Sequence, residues 1–86
     1  MNVTFTPLAW EDYQYWQQND KRVIKRIHLL IKDIDRSPFD GIGKPEALRH
    51  NLSDYWSRRI TDEHRMVYQH GADGLILFQL RYHYAK

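Results

Sequence analysis

Two short runs rich in aromatic and aliphatic residues, Tyr55 to Ile60 and Arg65 to Tyr68, flank the polar tetrapeptide Thr61-Asp62-Glu63-His64. Such a pattern reads as an antiparallel hairpin. Residues two apart on a strand share a face, so Tyr55, Ser57 and Arg59 point one way and Trp56, Arg58 and Ile60 the other. In the partner strand Met66 and Tyr68 alternate with Arg65 and Val67. With Met66 and Ile60 in the core, Arg59 and Arg65 stand together on the open face. Two neighbouring guanidinium groups repel, and they make sense where a polyanion such as a phosphate sits between them.

The rest of the chain supplies the layers around that hairpin. Val3 and Phe5 alternate with Asn2 and Thr4, a short half-buried strand. Thr6 offers an N-cap oxygen and Pro7 a preset φ, so a helix is predicted from there to about Gln18. Its Trp10, Tyr13 and Trp16 fit the core or a dimer seam better than base stacking. Asn19 and Asp20 supply the next cap. From Lys21 to about Arg36 the residues Val23, Ile24, Ile27, Leu30, Ile31 and Ile34 recur at helical spacing, with basic residues on the other side. Ser37-Pro38 ends this helix. A Gly- and Pro-containing loop follows, then a short strand from Glu46 to His50, the hairpin, a turn at Gly71 to Gly74 and a last strand from Leu75 to about His83. That strand is expected to place Ile76, Phe78, Leu80 and Tyr82 on one face and Leu77, Gln79, Arg81 and His83 on the other. The order predicts a single α+β domain over residues 1–86: two N-terminal helices on one face of a mainly antiparallel sheet of about five strands.

Composition narrows the function. The 86 residues suit one two-layer core. Cysteine is absent, which removes disulfides, thiolate metal sites and cysteine nucleophiles. A net charge of +2 permits an anionic partner without requiring one. With no signal-like start and no run of membrane-spanning length, a cytoplasmic protein without membrane contact is expected.

Arg81 and His83 can share the side of the sheet that carries Arg59 and Arg65, and Glu46 at the mouth of the loop can join them. A carboxylate, an imidazole and guanidiniums suit RNA cleavage by internal transfer. The carboxylate takes the 2′-hydroxyl proton, the histidinium protonates the leaving 5′-oxygen, and the arginines hold the phosphorane. Such a site needs no cofactor and no metal. The residues Asp62-Glu63-His64 lie in one turn and cannot easily converge on an ion. On periodicity alone, solvated surface arginines and a surface histidine are the better reading.

The sequence as a whole resembles the YoeB branch of the RelE/ParE toxin superfamily. The resemblance rests on Trp10-Glu11-Asp12-Tyr13, Asp20-Lys21-Arg22, Leu30-Ile31-Lys32-Asp33, Gly43-Lys44-Pro45-Glu46, His50-Asn51-Leu52-Ser53, Trp56-Ser57-Arg58-Arg59-Ile60-Thr61, Glu63-His64-Arg65 and Arg81-Tyr82-His83-Tyr84. It implies a RelE-like, microbial-RNase-like fold and the toxin of a type II toxin-antitoxin pair that cuts messenger RNA in the ribosomal A site. It further implies Glu46 as general base, His83 as general acid, Arg65 helped by Arg59 at the phosphate, and Tyr84 positioning the substrate. RNA binding falls to Lys44, Arg49, His50 and Arg81. The implied partners are a YefM-like antitoxin, the ribosome with its mRNA, and a second copy when the toxin is free. Two departures stand out. Ala85 and Lys86 extend past the His-Tyr pair, and Arg49 stands where lysine is common. Strict alternation also sends Tyr84 to the face opposite His83, so regular pairing must stop or bulge near there for both to act. Two alternatives remain: a non-catalytic RNA- or antitoxin-binding module of this fold, and a superfamily toxin that acts on a protein.

Overall fold

The computed structural model describes residues 1–48 and 54–82. Along them run β1 (Val3–Phe5), α1 (Pro7–Asn19), α2 (Lys21–Arg36), β2 (Glu46–Ala47), β3 (Trp56–Arg59), β4 (Arg65–Gly71) and β5 (Gly74–Gln79). The sheet order is β1-β5-β4-β3-β2, antiparallel throughout except that β1 pairs in parallel with β5. The expected α+β arrangement of two helices on a mainly antiparallel five-stranded sheet is the one observed. No described helix is long and apolar enough to cross a membrane.

The two helices start where their caps dictate. The Thr6 hydroxyl accepts from the Ala9 amide with Pro7 in the first turn, and Asp20 accepts from the amides of Arg22 and Val23. These side chains satisfy backbone donors that the first helical turn leaves unpaired. On α2, Val23, Ile27, Leu30 and Ile34 are buried, with Ile24 and Ile31 packed beside them, so the whole predicted stripe meets the sheet. Opposite it lie Ile60, Met66, Tyr68, Leu75, Leu77 and Leu80, and α1 adds Ala9 and Trp16. Each such fully buried aliphatic side chain contributes roughly 1.5–3 kcal/mol.

The last strand departs from expectation in length and in phase. Leu75 and Leu77 face the helices and are fully buried, whereas Ile76 and Phe78 are half-buried on the open face, where Phe78 stacks on Tyr55 at 4.8 Å. The run Leu75 to Leu80 is apolar on both faces, so alternation could not say which side meets α1 and α2. Val67 pairs with Gln79 but Tyr68 with Leu77, which makes Phe78 an extra residue on β5. This bulge reverses the phase and returns Leu80 to the core. Thr6 Oγ1 donates to the Phe78 carbonyl, tying the bulge to the start of α1. Regular pairing stops at Gln79, not near His83, and Tyr82 adopts a left-handed φ of 61°. Among the described residues β2 is two residues long; Arg49 and His50, expected to continue it, lie outside them.

Candidate active site

The hairpin register places the predicted basic pair. Arg59 sits directly opposite Arg65, and Arg58 opposite Met66. Directly opposed residues share a face, so the two arginines stand together on the side away from Met66. Glu46 pairs with Ser57, which pairs with Val67. Glu46 therefore lies on the same open face, and Arg59, two residues past Ser57, is its diagonal neighbour, roughly 7–8 Å away by sheet geometry. The glutamate is exposed.

Local bonds fix this corner. The Arg59 amide donates to the Gly43 carbonyl at 2.7 Å, so the loop before Glu46 is stapled to the end of β3. Gly43 itself has φ 78°, and a Cβ there would come within 2.9 Å of Leu30 Cδ2. Glycine admits both the conformation and the close approach. Lys44 follows it, also left-handed and exposed, next to Arg59. On the other strand Arg65 is only 9% exposed, and its Nη1 donates to the carbonyls of Thr61, Asp62 and His64 at 2.8, 3.0 and 3.2 Å. The turn thus holds one edge of the guanidinium and leaves Nε and Nη2 uncommitted among the described residues. Carbonyl oxygens packed on Nη1 also soften the repulsion from Arg59.

Beneath the open face lies a charged cluster that alternation had sent to the core without assigning it a purpose. Arg58 is fully buried and every arm of its guanidinium is used. Nε donates to the Tyr68 hydroxyl, Nη1 to Asp33 Oδ2 at 2.6 Å and to the Ile42 carbonyl, and Nη2 to the carbonyls of Ser37 and Asp40. Arg36 and then Arg58 hold the Asp33 carboxyl well below the usual carboxylate range, with the Ile42 amide assisting. Burial pushes the Tyr68 hydroxyl up. The cluster folds the loop over residues 37–43 against the sheet and so sets where Lys44 and Glu46 emerge. The sequence signal was an arginine in a core phase with an aspartate beside the apolar stripe of α2.

A second set of bonds brings in the C-terminal segment. Asp12 accepts from the Leu80 amide and Trp16 Nε1 donates to the Leu80 carbonyl. Burial is the main effect on Asp12 and raises its carboxyl above the usual value. The Arg65 amide donates to the Tyr82 carbonyl at 3.0 Å, which puts the residue preceding His83 beside Arg65. Arg81 does not continue the alternation towards the open face. Its guanidinium stacks on Tyr15 of α1 at 3.6 Å and on Tyr82 at 4.8 Å. The structure thus assembles Glu46, Arg59, Arg65 and Lys44 on one corner and sends Arg81 to the helix layer, while Arg49, His50, His83 and Tyr84 lie outside the described residues. Among the described residues no group of three or more His, Asp or Glu side chains is placed to hold a metal ion.

Residues 5–84 match the family described as YoeB-like toxin of bacterial type II toxin-antitoxin system. The chain belongs to the YoeB toxin family. A "Toxin YoeB" from Synechocystis sp. is 57% identical over 86 residues, the full length of both chains. The structure of a YoeB dimer from Staphylococcus aureus superposes with a TM-score of 0.93 at 50% identity, covering 98% of each chain. The YoeB of a heterotetrameric YoeB-YefM complex from the same organism superposes with a TM-score of 0.91, at 50% identity and 98% coverage of each chain. As a YoeB toxin, this protein is the toxin component of a type II toxin-antitoxin system.

Proposed function

We propose that this YoeB toxin is a ribosome-dependent endoribonuclease that cuts mRNA in the A site. The observation that supports the reading is the register itself: exposed Glu46 and Arg59 share one face with the largely buried Arg65, which lies opposite Arg59 and beside the segment leading to His83. Glu46 takes the proton from the 2′-hydroxyl, and the 2′-oxygen attacks the adjacent phosphorus. Arg65, through Nε and Nη2, and Arg59 neutralise the phosphorane, whose charge exceeds that of the diester. His83 gives its proton to the departing 5′-oxygen, and Tyr84 orients the substrate. Lys44 extends the cationic rim, and Arg49 and His50 complete the RNA contacts, whereas Arg81, stacked on Tyr15 and Tyr82, is left out of them. The groups named supply both proton transfers and the charge stabilisation, so the scheme calls for no cofactor.

The products are a 2′,3′-cyclic phosphate, or the 3′-phosphate from its opening, and a 5′-hydroxyl. Mapping both ends of message cut on programmed ribosomes tests this. A 5′-phosphate product, or RNA bound and never cut, would replace it with another hydrolytic mechanism or a binding module. The relatives in the dimer and in the YefM complex support a homodimeric free toxin and a YefM-like antitoxin. Action on translating ribosomes assigns the protein to the cytoplasm.

A further inference from the structure

His64 joins the two halves of the candidate site. Its carbonyl accepts from Arg65 Nη1 at 3.2 Å, while its ring Nδ1 accepts from the Tyr82 amide at 2.7 Å. A backbone N–H can only donate, so Nδ1 must carry its lone pair and the ring is the neutral tautomer protonated on Nε2. The ring is itself gripped: it meets Trp16 edge-on at 4.9 Å and lies against the Tyr82 ring at 5.4 Å. Trp16 in turn donates to the Leu80 carbonyl.

Tyr82 needs such a hold. It has left β5, and its φ of 61° lies in the left-handed region that is unfavourable for a residue with a Cβ. Its carbonyl accepts from the Arg65 amide and from Gln79 Nε2, and its amide goes to His64. These three bonds replace the lost sheet ladder at the residue that His83 and Tyr84 follow in the chain.

We propose that His64 is a positioning residue: its unprotonated Nδ1 fixes the Tyr82 backbone in the left-handed conformation, and efficient cleavage depends on that hold on the residue that precedes His83 in the chain. With its lone pair committed to Tyr82, Nδ1 is not available to take a proton from substrate. The cleavage part of this inference rests on the endoribonuclease reading; the bond to Tyr82 stands apart from it.

The test compares wild-type toxin with two variants. His64→Phe keeps a ring against Trp16 and Tyr82 but has no acceptor. His64→Asn gives up the ring and returns an oxygen near the Nδ1 position. Single-turnover cleavage of ribosome-bound message at saturating toxin is expected to fall about 10- to 100-fold in His64→Phe, the penalty for misplacing a reacting group by about 1 Å. It is expected to recover to within about fivefold in His64→Asn, while the ribosome affinity of both variants stays at the wild-type value. Amide hydrogen exchange on the free toxin supplies the second readout: Tyr82 is protected in the wild type and exchanges freely in His64→Phe, with Leu77 unchanged. Wild-type cleavage rates in His64→Phe, or an unprotected Tyr82 amide in the wild type, would overturn the proposal. A wild type that cuts no RNA at all would sink the nuclease reading, and the exchange of Tyr82 would still decide the bond.

Discussion

The guanidinium of Arg58 and the carboxylate of Asp33 meet at 2.6 Å between the sheet and α2, with no part of the arginine exposed to solvent. An ion pair in such a place holds its geometry only because the arginine's remaining donors reach Tyr68, Ser37, Asp40 and Ile42. Truncating one partner of a buried pair leaves the other uncompensated. Arg58→Met is therefore expected to lose about 3–5 kcal/mol of unfolding free energy, read as a lower urea midpoint. A midpoint unchanged from wild type would mean that the loop over residues 37–43 is held by other contacts.

The same cluster gives an acid dependence of definite sign. The folded-state carboxyl of Asp33 lies far below its ordinary value of 3.8, so the unfolded chain binds its proton first as pH falls. Its contribution is fully present above the unfolded value and is lost on acidification towards the folded one. The stability gap between wild type and Asp33→Asn is expected to narrow steadily from about pH 5 to about pH 2. A gap independent of pH would contradict the ion pair.

Much of this architecture was legible in the sequence. Thr6-Pro7 and Asp20 marked the helix starts because cap chemistry is local, and the stripe from Val23 to Ile34 named the core face because one helix has one buried side. The Arg59–Arg65 pairing followed from a short turn that fixes register. The tail did not follow, because Leu75 to Leu80 is apolar on both faces and the bulge at Phe78 leaves no local mark. The partnership of Arg58 with Asp33, and of His64 with Tyr82, joins residues 25 and 18 positions apart, which spacing alone cannot align.

Asp12 sets the tail through Leu80 from inside a desolvated site. Asp12→Ala leaves the buried Leu80 amide without an acceptor and is expected to cost about 1–3 kcal/mol. Asp12→Asn keeps an acceptor oxygen and removes a charge that burial disfavours, so it should cost clearly less at neutral pH. Equal losses in urea unfolding for the two variants would show that the charge, through its attraction to Arg81, matters more than the acceptor.

The arginine corner also predicts how the toxin is restrained. An antitoxin segment bringing carboxylates to Arg59 and Arg65 should bind about tenfold or more weakly when salt rises from about 0.05 M to about 0.5 M, because rim charges are screened. Arg59→Ala should flatten that dependence. Affinity insensitive to ionic strength in the wild type would place the antitoxin contact elsewhere.

The most direct measurement is single-turnover cutting of ribosome-bound message by wild type and by the Glu46→Gln, His83→Gln double variant. Loss of both proton-transfer groups is expected to slow cutting by about a thousandfold or more, with ribosome binding intact and a bell-shaped pH dependence in the wild type alone. Cleavage at an undiminished rate by the double variant would show that neither side chain moves a proton in the reaction.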